Sequence, residues 1–184
     1  MVIEAGGGAL PARVPSAVLL RRAAPEDLEA IAALYLRNHR RTYAALLGAA
    51  YAEGLSLDGC LAQWSETLAR PDSRVWAAYR GGTLLGFASG VPDSALEETW
   101  YLESLHVDES ARGQGLGTAL IRAAAADAAA AGCRRMSVCI VRGNERAGAL
   151  YRRLGAVHGS YFTDCLHGTV TDSEKLIWET LPLG

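Results

Sequence analysis

The residue types best suited to chemistry lie between Leu105 and Thr118, in the run Leu105-His106-Val107-Asp108-Glu109-Ser110-Ala111-Arg112-Gly113-Gln114-Gly115-Leu116-Gly117-Thr118. Glycines alternate at 113, 115 and 117, between an apolar run and a stretch of helical spacing. Glycine lets the main chain adopt positive φ and come close to a ligand, and the first turn of a helix presents unpaired N–H groups with partial positive charge. Such a strand, loop and helix start together predict a cradle for a pyrophosphate. A dinucleotide-type Gly-x-Gly-x-x-Gly counted from Gly113 meets Thr118 at its last glycine, and the loop comes late in the chain. A phosphate loop ending in Gly-Lys-Ser/Thr needs a lysine that is absent here, since Lys175 is the chain's only one. The remaining alternative is a plain glycine turn before an alanine-rich helix.

Other side chains exclude whole classes of function. Cys60, Cys133, Cys139 and Cys165 show no Cys-x-x-Cys spacing and no histidine cluster nearby, so neither a metal site nor a disulfide framework is expected, and a reducing cytoplasm is the default location. Cys139 lacks a basic neighbour to activate it and reads as an inert thiol. The net charge of −2 argues against nucleic-acid binding. The apolar stretch from Ala123 to Ala131 is broken by Asp127 and falls far short of the roughly 20 residues that span a bilayer, so no membrane segment is expected. Abundant Ala, Gly and Arg fit a GC-rich genome.

The elements that position the loop follow from periodicity and breakers. Residues 1–17 read as a flexible leader and 18–184 as a single domain. A first strand is expected at Val18 to Arg22. A helix opened by Pro25 then carries Leu28, Ile31, Leu34 and Tyr35 to about Tyr43. A second helix, capped by Asp58, aligns Leu61, Trp64 and Leu68 and ends before Pro71. Arg74–Tyr79 and Leu84–Ala88 read as a hairpin about Gly81-Gly82, and Trp100 to Val107 as a further strand. Leu116 to Ala131 is a helix with Leu116, Leu120, Ile121 and Ala124 inward, stopped by Gly132. A strand at Met136–Val141, a helix at Glu145–Leu154 and closing strands at Ala156–Phe162 and Lys175–Leu181 complete the order βααβββαβαββ, an α/β layer arrangement with a mixed sheet.

Arg112-x-x-Gly115-x-Gly117, between a strand and a long helix, resembles the first signature of the GCN5-related N-acetyltransferases (GNAT). Asn144, Ala147, Leu150-Tyr151 and Leu154-Gly155-Ala156 resemble the second, with Ala156 in place of the usual aromatic residue. Arg40-Arg41-Thr42-Tyr43, Leu55-Ser56-Leu57 and Trp64 are similar to the first two helices of many bacterial members. The resemblance implies a mostly antiparallel central sheet flanked by helices, acetyl-CoA as cosubstrate with no metal, and transfer to an amine acceptor, with a small-molecule amine favoured. Homodimer assembly stays open. The alternatives are a non-catalytic CoA-binding sensor or scaffold and an acetyltransferase acting on protein N-termini or lysines.

Carried over residue by residue, the resemblance gives the pyrophosphate to the main-chain amides of Gly113, Gln114, Gly115, Leu116 and Gly117, with the Thr118 hydroxyl and the Arg112 charge beside them. The pantetheine arm would pair with main-chain groups of Leu105 and Val107. The intervening His106 would face the other side as a core or surface histidine. Asn144 would contact the cofactor or cap its helix, two roles of equal standing. Tyr151 would donate a proton to the departing thiolate, or else simply pack on the sheet. Tyr101 and Glu103 share a face by strand alternation, and Glu103 is the better candidate to deprotonate the amine. Asp93, Glu97, Glu98 and Glu103 would make the acceptor side attractive to a cation.

Overall fold

The computed structural model describes residues 17–183, so the expected leader lies outside the described residues except for Ala17. Seven strands form one sheet in the order β1-β2-β3-β4-β5-β7-β6. They are β1 Leu19–Arg22, β2 Arg74–Arg80, β3 Thr83–Pro92, β4 Thr99–Val107, β5 Arg135–Val141, β6 Val157–Leu166 and β7 Thr169–Trp178. Every pairing is antiparallel except β4 with β5. The helices are α1 Leu28–Leu47, α2 Ala49–Gly54, α3 Leu57–Ala69, α4 Leu116–Ala130 and α5 Glu145–Arg153. The mixed, mostly antiparallel sheet flanked by helices is therefore the architecture of this chain.

Each face of the sheet has its own core. Leu116, Leu120, Ile121, Ala124 and Ala128 of α4 and Tyr151 of α5 pack on Ala88, Leu102, Met136, Val138, Leu176 and Trp178. Ile31, Leu34 and Tyr35 of α1 and Cys60 and Trp64 of α3 pack on Val75, Ala77, Leu84 and Phe87. Alternation along β2 and β3 serves both faces, which is why these strands read as nearly continuous apolar runs.

The structure departs from the sequence reading in several places. Residues 49–54 form a short extra helix. The cap of α3 is Ser56, whose hydroxyl accepts the Gly59 N–H at 3.1 Å, and Asp58 lies within the first turn instead. The closing hairpin is longer than expected, with β6 running on to Leu166 and β7 beginning at Thr169 about a His167-Gly168 turn. Pro25 begins a single 3-10 turn rather than α1 itself. Asp27 is buried and takes both Arg21 guanidinium nitrogens at 2.6 and 2.8 Å, the Ala24 N–H at 2.8 Å and the Tyr79 hydroxyl.

These donors hold the Asp27 carboxyl down at about 2, with Arg21 the largest cause. A carboxylate so depressed stabilises the native state above its unfolded value and loses that contribution as pH falls toward 2, roughly 2–3 kcal/mol in all. Asp27→Asn should therefore lower the melting temperature at neutral pH, and the gap to wild type should narrow as pH falls below about 4. Equal melting temperatures at neutral pH would show that this carboxylate does not tie β1 and β2 to the start of α1.

Candidate active site

The parallel pair β4 and β5 stays in register only from Thr99 to Leu102 against Arg135 to Val138. Beyond that point the strands separate. Opposite Ser89 and Gly90 of β3, the β4 partners are Ser104 and Leu102, which leaves Glu103 as the extra residue of a bulge. A cavity of about 600 Å3 fills the gap and reaches both faces of the sheet. Its walls include Tyr101 to Val107, Arg112 and Gly113, Val138 to Val141, Asn144 and Tyr151, with Tyr35, His39 and Tyr43 of α1 on one side.

On the α4 side the glycine loop has the form the sequence predicts. Gly113 and Gly115 have φ of +74° and +79°, a region that penalises any side chain. The Gly115 carbonyl accepts the Ala119 N–H at 3.0 Å, but among the described residues no backbone N–H from 113 to 118 donates to another backbone group. These are the orphan donors of a helix N-terminus. Gly117 is fixed by a neighbour: a Cβ there would stand 3.2 Å from Leu150 of α5. The Gln114 side chain is committed elsewhere, accepting from Arg80 and donating to the Ser110 carbonyl. Arg112 is partly committed too, with its Nε on the Val107 carbonyl at 3.3 Å and an Nη on Asn38 Oδ1 at 3.4 Å. Burial lowers the Arg112 pKa, and Arg146 and Arg41 add to that shift. Arg146, which the sequence reading missed, also lines the cavity.

Along β4, Asp108 N–H donates to Leu85 of β3 at 2.7 Å. Antiparallel alternation then aims the main-chain groups of Val107 and Leu105 away from β3, toward the gap. The Val107 carbonyl already accepts Asn38 Nδ2 at 3.2 Å and Arg112 Nε, so an extended arm would find the Leu105 groups and the Val107 N–H. His106 turns to the opposite face, where its ring stacks on Phe87 with centroids 5.0 Å apart and lies 5.2 Å from His39.

On α5, Asn144 is a helix cap, its Oδ1 accepting the Ala147 N–H at 3.4 Å. Tyr151 is 5% exposed and meets Trp178 edge-on at 5.6 Å. Burial lifts its pKa above the ordinary phenol value, so it stays protonated at neutral pH. Tyr101 is pushed up by burial and by Cys139. Glu103 lines the cavity and accepts one Arg70 nitrogen at 3.3 Å. Cys139 does have a basic neighbour, because Lys175 is its register partner on β7. Lys175 is bound to Asp93 at 2.7 Å, however, and burial raises the Cys139 pKa, leaving a thiol.

The expected acidic surround is mostly absent from the cavity. Asp93 is held by Lys175 and Ser137, Glu98 pairs with Arg134, and only Glu103 of that group lines the wall. The carboxylate that joins it is Asp164 of β6, in the part of the hairpin that the sequence reading left as loop. The same wall carries an aromatic cluster. Tyr35 and His39 rings stack at 3.9 Å, His39 Nδ1 meets the Tyr51 hydroxyl at 2.9 Å, and the Tyr35 hydroxyl meets His167 Nε2 at 2.8 Å. Burial depresses His39 to about 2 and His106 to about 3. Both rings are neutral at physiological pH and neither is poised as a base.

The comparisons agree with this geometry. The acetyltransferase (GNAT) family model matches residues 28–156. The thialysine N-epsilon-acetyltransferase of Bos taurus is 39% identical over 56 residues, which are 30% of this chain and only 33% of that protein. The GCN5-related N-acetyltransferase structure from Rhodopseudomonas palustris superposes with a TM-score of 0.73 at 23% identity, covering 90% of this chain and 98% of that one. The yncA structure from Salmonella typhimurium, solved with its cofactor acetyl-CoA, gives 0.66 at 21% identity over 90% and 95% of the two chains.

The buried imidazoles generate a stability prediction. An unfolded chain takes up protons on histidine below about 6.5, whereas the folded protein leaves His106 and His39 unprotonated until about 3 and 2, so stability falls as pH drops below 6.5. The slope should reach up to ~1.4 kcal/mol per pH unit for each ring. Denaturant titrations between pH 7 and 4.5, above the main carboxylate range, should show this loss, and His106→Phe should flatten it. Stability independent of pH over that range would contradict the neutral cluster. With the glycine-loop amides, the family's second signature on α5 and the matched family model in agreement, the chain belongs to the acetyltransferase (GNAT) family.

Proposed function

We propose that this protein transfers the acetyl group of acetyl-CoA to a primary amine of a small, cationic molecule, by direct attack in a ternary complex. The observation that carries this reading is the cavity at the β4–β5 gap, which runs from Arg112 and Gly113, where the loop whose amides make no backbone hydrogen bond begins, to a wall bearing Glu103, Tyr101 and Asp164. The amides, with Arg112 and Arg146, would hold the pyrophosphate, and the open side of β4 would hold the pantetheine arm. Acetyl-CoA supplies the activated acyl group. Holding thioester and amine together removes most of the entropic barrier to their meeting.

The chain's own groups then manage protons. An ammonium has no lone pair, so a base must first remove its proton. Glu103 is the candidate, since the histidines on this wall are too weakly basic and Tyr101 is held as a phenol. Tyr151, kept protonated by burial, gives its proton to the departing thiolate. Asp164 and Glu103 flank the acceptor end while the aromatic rings there stay uncharged, which favours a cation there even with Arg70 paired to Glu103.

A panel of amines, read by release of CoA thiol, tests the substrate class: polyamines and thialysine should react, and carboxylate-rich amines should not. Tyr151→Phe should lower single-turnover rates about 10²-fold or more with acetyl-CoA affinity little changed. Glu103→Gln should slow the reaction at neutral pH and recover part of the loss at higher pH, where more amine is already neutral. Wild-type rates in both variants would remove these roles. Tight acetyl-CoA binding with no amine accepted would favour a non-catalytic CoA sensor.

A further inference from the structure

The closing hairpin outruns the strand that supports it. β7 pairs with β5 from Ser173 to Trp178, and the Asp172 carbonyl accepts one further bond from the Arg142 N–H at 2.8 Å. From there to the turn, among the described residues, β7 has β6 alone beside it, with Thr163 to Leu166 paired to Asp172 to Thr169. A ribbon of two strands is marginal by itself, so this arm needs another contact to keep a fixed place. The contact is at its tip. His167 and Gly168 make the turn with φ of +46° and +80°. Two-residue turns with both residues at positive φ favour Asn, Asp or Gly at the first position, and a larger side chain there is under strain. The His167 ring reaches α1 from that position, its Nε2 2.8 Å from the Tyr35 hydroxyl and its centroid 5.5 Å from His39. Tyr51 of α2 lies 6.2 Å away on the same side.

This contact crosses the gap. α1 packs over β2 and β3, whereas the arm springs from β7 and β6, beyond β5 in the sheet. Between those two supports, Asp164, Leu166 and Thr171 of the arm line the cavity. Asp164 and Thr171 are register partners, so their side chains share one face of the ribbon. Asp164 is exposed at the rim, with one carboxylate oxygen accepting the Cys165 N–H at 2.7 Å. No pairing to β5 extends this far along the hairpin, so the place of Asp164 over the acceptor wall depends on the tip.

We propose that His167 is a positioning residue: by clasping Tyr35 it holds the arm across the β4–β5 gap and sets Asp164 over the acceptor end, a proposal that rests on the reading of that end as the site of a cationic amine. With the clasp made, the carboxylate meets the acceptor's charge at a fixed place. With the clasp broken, the ribbon frays from its tip and Asp164 swings into solvent. The clasp therefore governs the binding of the acceptor. Acetyl-CoA is held elsewhere, by the loop before α4 and the open side of β4, and its affinity is independent of the arm.

The test uses His167→Asn, Tyr35→Phe and Asp164→Asn. His167→Asn gives the turn a residue it favours and loses the reach to Tyr35, so a merely structural histidine predicts no harm from it. Tyr35→Phe removes the hydroxyl and leaves the turn as it is. With a cationic amine accepted in the panel, each variant should raise the amine KM about fivefold or more, with kcat, calorimetric acetyl-CoA affinity and melting temperature little changed. Combining His167→Asn with Tyr35→Phe or with Asp164→Asn should add less than about twofold to either single variant, because all three disturb one arrangement. In the free protein, amide exchange read by mass spectrometry should be about tenfold faster over residues 163–171 in Tyr35→Phe and unchanged over residues 173–178. The clasp is overturned by a wild-type KM in His167→Asn, by a loss that multiplies in full on Asp164→Asn, by a loss matched by weaker acetyl-CoA affinity or a lower melting temperature, or by wild-type exchange of the arm in Tyr35→Phe. If the wild-type protein accepts no amine, the substrate reading falls and exchange alone decides the clasp: faster exchange of the arm upholds it and unchanged exchange overturns it.

Discussion

Parallel neighbours in a sheet are held by main-chain bonds, and in this protein that pairing between β4 and β5 ends at Leu102 and Val138. Much of the site depends on where it stops. Separation leaves main-chain groups of β4 without a neighbour and opens a passage through the sheet between its two cores. Each of the two strands then leads through a loop into a helix on the same face, α4 after β4 and α5 after β5. Both helices thus begin at one end of the gap, where the free amides of the α4 start and the positive dipole ends of both helices add. Gly117 permits this convergence, since a side chain there would press on Leu150. The bulge at Glu103 follows from the same strand's change of course, and it sets a carboxylate on the cavity wall.

Burial then sorts the protonation states. The phenols of Tyr35, Tyr43, Tyr51, Tyr101 and Tyr151 are pushed up and the imidazoles of His39 and His106 down, so each is neutral at physiological pH. Some of these groups still find polar partners, His39 with Tyr51 and Tyr35 with His167. That side of the cavity is therefore walled by uncharged, hydrogen-bonding rings.

The glycine loop, α4, β4 and α5 were legible in the sequence because each combines a strong period with a chemical breaker, as Gly113 to Gly117 does before Leu116, Leu120 and Ile121. The far half of the closing hairpin was not, because β6 is exposed along most of its length and Thr163-Asp164-Cys165 carries no apolar alternation to mark a strand. Asp164 was lost with it. His39 and Tyr43 continue the α1 stripe from Tyr35 at i+4 and i+8, but the apolar count stopped at Tyr35. The Glu103 bulge leaves no mark in a period-two reading. The expected acidic surround failed for a different reason: Asp93 and Glu98 sit close in sequence to the acceptor wall but spend their charge on Lys175 and Arg134.

The central claim is that the amides of residues 113–118 are a pyrophosphate site and that the chain therefore binds acetyl-CoA. Isothermal titration of wild type and Gly115→Val with acetyl-CoA, with NAD as control ligand, tests it most directly. The account predicts micromolar acetyl-CoA binding to wild type, none to a folded Gly115→Val protein whose loop can no longer hold φ near +79°, and no binding of NAD. Unchanged acetyl-CoA affinity in Gly115→Val, or binding of NAD in place of acetyl-CoA, would contradict it.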